Sequence, residues 1–200
     1  MPTTIFYCVQ GQVTIWLMGV FGKAGSVADL GALGRLSVMF VVITSVMTTI
    51  VVPRFAKYQS PQLLRRRFAQ IIGAFLMFDL FVVAVAALLP GPILWVLGHK
   101  YAALRHELLL MMILTGINST TEAMWLLNSA KAWIEYSWLH IPGTLITQAI
   151  LLAILEVSTL RGALLFGIFS LIPSVLLNLW LAARGLRAIA ANGALSPVSP

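Results

Sequence analysis

Long apolar runs separated by short polar connectors make up most of the chain. A membrane-spanning helix needs about 20 predominantly apolar residues. Six runs approach this length: 4–22, 27–52, 66–89, 106–130, 133–155 and 160–186. They are too long for strands and lack period-two alternation. The pattern therefore predicts an all-α membrane protein, a bundle of about six transmembrane helices over residues 1–188. The small, polar, Pro-containing end at 189–200 predicts a disordered tail.

Polar side chains recur three and four residues apart in at least four of these runs, so each set shares one helix face. Small and hydroxyl-bearing residues are common where membrane helices pack, and packing is one explanation of each stripe. Four stripes with amides, a histidine and a glutamate favour another explanation, a hydrated internal cavity. The stripes are Tyr7, Gln10 and Thr14; Thr115, Asn118, Glu122 and Ser129; Tyr136, His140, Thr144 and Thr147; and Gly167, Ser170, Ser174 and Asn178.

Three ionisable residues fall inside the apolar runs: Arg35, Asp79 and Glu122. Such residues are costly at membrane depth and usually face a protein interior or a water-filled cavity. A rise of 1.5 Å per residue places Arg35 about 10–12 Å and Asp79 about 15 Å from the same surface, with Glu122 much deeper. Three interpretations of Arg35 and Asp79 stay open. They neutralise each other, one of them binds substrate or a coupling proton, or they do not meet.

Composition supports the membrane prediction, and the charge pattern adds an orientation. The chain is 60% hydrophobic and 10% charged with a formal charge of +7, whereas soluble domains carry about 25% charged residues. Its cations concentrate in one connector, at Arg54, Lys57, Arg65, Arg66 and Arg67. The positive-inside rule then predicts that this connector and both termini lie in the cytoplasm. A topology signal explains the cluster better than nucleic-acid binding does, so no nucleic-acid partner is expected.

Motifs of enzymes and cofactor sites are missing from the sequence. There is no Walker A motif, no GxSxG, no HExxH and no Cys/His cluster with metal spacing. The single cysteine permits no internal disulfide. The sequence therefore predicts a protein that is not an enzyme and that has no cofactor, no metal and no catalytic residue.

Two stretches resemble a known family. The first is "CVQGQVTIWLMGVFGKAGSVADLGALGRLSVMFVVITSVMTTIVVPRFAKY". It consists of a Gln-containing helix, a short Gly turn, the segment "VADLGALGRL", and a helix with scattered polar residues that ends in "VPRFAKY". The second is "ILWVLGHKYAAL", where Leu-Gly and an aromatic precede the next span. Their order and spacing over about residues 5–186 resemble one lobe of the polysaccharide and lipid-linked oligosaccharide flippases of the multidrug/oligosaccharidyl-lipid/polysaccharide (MOP) exporter superfamily. The C-terminal lobe is the better match.

The resemblance implies a fold and a function. Two six-helix lobes face each other across a central cavity, and alternating access moves the headgroup of a lipid-linked glycan across the bacterial inner membrane. Such flippases serve polysaccharide biosynthesis, including that of lipopolysaccharide O-antigen. Substrate-cavity candidates here, taken chiefly from periodicity and depth, are Gln10, Thr14, Arg35, Asp79, Asn118, Glu122, His140 and Asn178.

The chain departs from the family because it has one lobe and not two. Either the chain is a fragment or split product, or rocking one lobe against another requires a second six-helix lobe or a homodimer as partner, in addition to the lipid-linked oligosaccharide and the bilayer. Two alternatives stay open. Asp79 and Glu122 suit a lobe of a cation-coupled multidrug antiporter. The chain could also be a non-transporting scaffold or an inactive remnant. A membrane glycosyltransferase is a weaker idea because no catalytic acidic motif lies in a loop.

Overall fold

The computed structural model describes residues 12–13, 16–17, 19–22, 24–58 and 60–195. Within these residues the chain is helical and contains no strand, which confirms the all-α prediction. The α-helices from residue 24 onward are α1 (Ala24–Gly34), α2 (Val38–Val46), α3 (Val52–Ala56), α4 (Pro61–Leu88), α5 (Pro90–Leu97), α6 (Arg105–Ala130), α7 (His140–Ile154), α8 (Leu160–Ser170) and α9 (Ile172–Leu195). Short 3₁₀ turns lie at Arg35–Ser37, His99–Tyr101 and Ser137–Leu139.

Four helical segments are long and apolar enough to cross a membrane. This finding is consistent with the prediction of a membrane protein. They are Gly25–Ala56, Pro61–Leu88, Ser137–Ile154 and Leu160–Ile189. These correspond to the runs predicted at 27–52, 66–89, 133–155 and 160–186. The predicted run 4–22 lies largely outside the described residues. The run 106–130 forms α6, which is as long as a membrane span. Within the described residues, however, α6 is not among the helices that are apolar enough to cross a membrane.

The first of these segments is one rod built from three helical geometries. A 3₁₀ turn separates α1 from α2, and a π-helical turn at Met47–Val51 separates α2 from α3. π-Helical turns widen the backbone and are frequent at functional sites. The change of geometry sets the direction of the side chains on either side of it.

The ends of the other segments differ in detail from the sequence prediction. The fifth predicted run becomes helical only at Ser137, with α7 proper from His140. The last run is interrupted at Leu171, between α8 and α9, where Pro173 lacks the N–H needed to continue the ladder. The tail predicted as disordered from residue 189 is helical as far as Leu195, because its Ala-rich sequence has high helix propensity.

Helix α6 lies at the centre of the bundle. It packs against α4, α8 and α9 and also against α2 and α3. Two hydrophobic clusters fix it along its length, one containing Leu108 and Met112 and the other containing Ala123, Met124 and Leu127. A helix enclosed in this way can carry more polar residues than its neighbours, which explains why α6 is the least apolar of the long helices.

The outer surfaces of the surrounding helices are apolar. Met77 is 69% exposed and Phe81 65% exposed on α4, and Ile146 is 62% exposed on α7. Soluble proteins rarely expose contiguous apolar surface on this scale. These faces suit contact with lipid acyl chains.

Candidate functional site

An open groove of about 270 Å³ lies between the segment Gly25–Ala56, which we call the α2 rod, and α6. We call it the polar groove. Its walls are Ser37, Phe40, Val41, Thr44, Ser45, Thr48, Thr115, Asn118, Ser119 and Glu122.

Helical spacing explains how each wall of the polar groove is built. On the α2 rod, Ser37, Thr44 and Thr48 are seven and four residues apart, so they share one face. On α6, Asn118 and Glu122 are four residues apart and share another. The groove forms because these two hydroxyl-rich faces meet, with apolar surface outside them.

Two hydrogen bonds join the walls near the ends of the groove. Thr115 Oγ1 donates to the carbonyl of Met111 at 2.8 Å. Because the Thr115 hydroxyl has one proton, Ser37 Oγ is the donor in its 3.1 Å contact with Thr115 Oγ1. Farther along, Thr44 Oγ1 donates to Glu122 Oε2 at 3.5 Å, a long and weak contact. The two walls are therefore joined by a hydrogen bond of ordinary length at one end of the groove and by a long, weak one at the other.

Several polar groups of the groove remain available to a ligand. Asn118 and Glu122 are exposed. Ser119 is 3% exposed, yet its Oγ has no hydrogen-bond partner within the described residues. A buried hydroxyl without a partner is costly, and this one is part of the groove wall. The groove thus offers hydroxyl, amide and carboxylate groups together, a set that matches the hydrogen-bonding groups of sugars.

Asp79 lies between α4 and α6 and outside the groove wall. It is 8% exposed, and Oδ2 accepts a hydrogen bond of 2.5 Å from Thr120 Oγ1. Gly116 permits this approach, because a Cβ there would lie 3.1 Å from the Cβ of Asp79. The other carboxyl oxygen, Oδ1, has no partner within the part of the chain described.

Arg35 does not neutralise Asp79. Its side chain is exposed in the 3₁₀ turn before α2, and the hydrogen-bond donor beside Asp79 is Thr120. Among the described residues the salt bridge is Arg161 Nε to Glu107 Oε1, at 3.6 Å. Of the three interpretations, the ion pair is therefore contradicted. The rotation of α4 turns Asp79 toward α6, whereas Arg35 faces outward.

Asn178 and His140 lie in helix contacts away from the groove wall. Asn178 accepts from Asn128 Nδ2 through its backbone oxygen at 3.0 Å and through Oδ1 at 3.2 Å, which ties α9 to α6. His140 is buried at the start of α7, with Nδ1 3.4 Å from Thr144 Oγ1. Thr144 and Gln148 are buried on the same face, so the stripe predicted for this helix does point inward.

The polar groove thus combines two of the eight predicted cavity residues, Asn118 and Glu122. Gln10 and Thr14 lie outside the described residues. Arg35, Asp79, His140 and Asn178 are not part of its wall. The sequence prediction missed the side of the groove that the α2 rod forms. The spacing of seven and four residues between Ser37, Thr44 and Thr48 does indicate a shared helix face. The missed groove residues with hydroxyl groups are Ser37, Thr44, Ser45, Thr48 and Ser119.

The basic connector carries its cations on its exposed surface. Arg54, Lys57, Arg65, Arg66 and Arg67 are all exposed. Lys131, which follows α6, has a structural role. Its Nζ donates to the carbonyls of Ala56 at 2.9 Å and Tyr58 at 2.5 Å and so caps the end of α3. Burial lowers the pKa of Lys131 below its ordinary value.

No group of three or more His, Cys, Asp or Glu side chains within the described residues could hold a metal ion. In comparisons with protein-family models, curated proteins and solved structures, no match to the chain was found.

Proposed function

We propose that this chain is one lobe of a flippase that moves a lipid-linked oligosaccharide or polysaccharide precursor across the bacterial inner membrane by alternating access. The observation that carries the proposal is the polar groove, an open, hydroxyl-rich surface on an otherwise apolar helical bundle. In this proposal α6 and a helix within residues 4–22 complete a set of six spans.

The chemistry of the groove favours a hydroxyl-rich cargo. A sugar headgroup leaves water only if its hydroxyls find donors and acceptors, since unpaired polar groups are costly in a dry site. Ser119 Oγ, the Asn118 amide and the Glu122 carboxylate supply both kinds of group. The apolar surfaces beside the groove, such as Val38 and Val42, are exposed and can meet the lipid part of the substrate.

A groove on one lobe requires a second surface to close over the headgroup. Alternating access by rocking needs two bodies that move against each other. We therefore propose that this lobe works with a second six-helix lobe or with a second copy of the chain.

A second candidate function is a lobe of a cation-coupled multidrug antiporter. The observation that favours it is the pair of acidic side chains on adjacent parts of the bundle, Glu122 in the groove and the buried Asp79 behind it. Intramembrane carboxyls commonly mark ion or proton pathways. Organic-cation transport driven by an ion gradient and abolished by Asp79→Asn is the result that this candidate predicts.

The test reconstitutes the purified chain in vesicles that carry a fluorescent lipid-linked oligosaccharide. A membrane-impermeant glycosidase then reports how much substrate crosses with time. We expect transport by the wild type, a loss of at least tenfold in Asn118→Leu, and no change in Phe81→Leu, a matched change on the lipid-facing surface of α4. Equal rates in the wild type and in protein-free vesicles would contradict transport by a homodimer of the chain, and would be the result expected of a scaffold, an inactive remnant or a lobe that needs a different partner.

A further inference from the structure

We propose that the outer face of α4 carries a binding site for one anionic phospholipid. Its phosphate is held by Arg66 and Arg67, and an acyl chain runs down the helix toward Met77. This site is separate from the polar groove and does not depend on the proposed transport function.

The headgroup end of the site is a small cleft of about 110 Å³. It is lined by Leu63, Arg66, Arg67 and Gln70, which lie on one stripe of α4. Arg67 is held in place from two sides. Its Nη1 donates to Gln70 Oε1 at 3.3 Å, and its guanidinium carbon lies 5.9 Å from the ring centroid of Tyr58. A fixed guanidinium loses less entropy on binding a phosphate than a free one does.

The positive charge of the cleft favours an anionic ligand. No Asp or Glu occurs between residues 54 and 70. The salt bridge found within the described residues involves neither Arg66 nor Arg67. Arginine binds phosphate oxygens through two N–H groups at once, which favours phosphate over other anionic surfaces.

The same stripe continues as apolar surface. Below Gln70 the exposed residues on this face are Ala74, Met77 and Phe81, with Met77 69% exposed and Phe81 65% exposed. Met77 lies ten residues from Arg67, about 15 Å along the helix. This is about half of the hydrocarbon core of a bilayer, or one leaflet. A diacyl phospholipid matches a surface with two cations at one end and one leaflet of apolar contact below them.

The test measures lipid binding to the purified chain in detergent by native mass spectrometry, with phosphatidylglycerol as the anionic probe and phosphatidylcholine as the zwitterionic one. The double variant Arg66→Gln/Arg67→Gln is compared with Arg54→Gln/Arg65→Gln. The control pair removes the same charge from the same connector but lies outside the cleft. We expect phosphatidylglycerol to bind the first pair on the order of tenfold more weakly, and to bind the control within twofold of the wild type.

Two further variants keep the test decisive if the double Gln variant cannot be purified. Arg66→Lys/Arg67→Lys preserves charge but removes the guanidinium fork, and Gln70→Leu preserves all cations but removes the group that orients Arg67. We expect each to weaken phosphatidylglycerol binding at least threefold. Equal weakening in the cleft and control pairs, full binding by the Lys and Leu variants, or equal binding of the two lipids would each overturn the site and indicate diffuse attraction by the whole connector.

Discussion

The two polar faces of α6 contain similar residues but have different surroundings. One face carries Thr120 and Asn128, which are buried against α4 and α9. The other carries Asn118 and Glu122, which are exposed in the polar groove. Residue type alone does not distinguish an amide that holds helices together from one that is free to contact a ligand. The neighbouring helix decides which of the two it is.

The hydrogen bonds show the same contrast. On the closed face, Thr120 bonds Asp79 at 2.5 Å, and Asn128 bonds two oxygens of Asn178. On the open face, Glu122 accepts one long bond of 3.5 Å. Substitutions on the closed face should therefore reduce the free energy of unfolding, and substitutions on the open face should change ligand interactions instead.

The largest effect is expected from Thr120→Val. It removes the hydroxyl that donates to the buried carboxyl of Asp79, and hydrogen bonds to such groups contribute about 1.5–3 kcal/mol. We expect a loss within this range in chemical unfolding in detergent. Thr44→Val, which breaks only the long contact to Glu122, serves as the control and should cost less than about 0.5 kcal/mol. Equal losses would remove the distinction between the two faces.

Gly116→Ala should cost slightly less. The added Cβ would lie 3.1 Å from the Cβ of Asp79, so the Asp79 side chain must shift by a few tenths of an ångström, and overpacking of this kind costs about 1–3 kcal/mol. Gly73→Ala is the matched control on α4, because nothing lies within 4 Å of its added Cβ. The control should be neutral or stabilising by up to about 1 kcal/mol, since Ala favours helix more than Gly. A Gly116→Ala protein as stable as the wild type would contradict the tight α4–α6 contact.

Asn128→Ala should cost about 1–2 kcal/mol, because it removes both bonds to Asn178 and interhelical hydrogen bonds in membrane proteins are of modest strength. Asn118→Ala makes the same chemical change on the open face and should leave stability unchanged within about 0.5 kcal/mol. Thermal unfolding of both variants in the same detergent provides the comparison. A larger loss for Asn118→Ala would reverse the assignment of the two faces.

Ala132→Gly should stabilise the protein by about 1 kcal/mol. Ala132 has φ = 57° just after α6 ends. Trp133 N donates to the Asn128 carbonyl at 2.9 Å, and Ala132 N donates to that of Ser129 at 3.0 Å. This pattern is a Schellman cap, whose left-handed position glycine occupies without the penalty that alanine carries. Unchanged or lower unfolding temperature in Ala132→Gly would show that the cap is not formed in solution.

Sequence reasoning found the faces of the helices but not their partners. The four-residue spacing of Asn118 and Glu122 predicted a shared polar face, and both residues line the groove. Periodicity cannot show which helix lies opposite, because the packing of the whole bundle sets the rotation of each helix. Asp79 could therefore not be assigned to Thr120 in advance. The hydroxyls of the α2 rod were missed because Ser and Thr are also ordinary packing residues in membrane helices.

Helix ends were also only partly predictable. Hydropathy located the four apolar segments, but it does not sense local caps or changes of helical geometry. The π turn at Met47–Val51 depends on backbone hydrogen bonds that the apolar pattern does not encode, whereas Pro173 in the sequence accounts for the break at Leu171. Hydropathy also predicted a span at 106–130 without showing that this helix, α6, forms the centre of the bundle.

Cysteine accessibility along α6 tests the central claim most directly. The chain contains one cysteine, Cys8, so a Cys8→Ser background permits single cysteines at Asn118, Glu122, Thr120 and Ala123. Labelling of the intact protein in vesicles with a small membrane-impermeant thiol reagent then compares the two faces. We predict rapid labelling at positions 118 and 122 and at least tenfold slower labelling at 120 and 123. Equal rates at all four positions, or faster labelling at 120 and 123, would contradict an open polar groove on one face of α6 and a closed contact on the other.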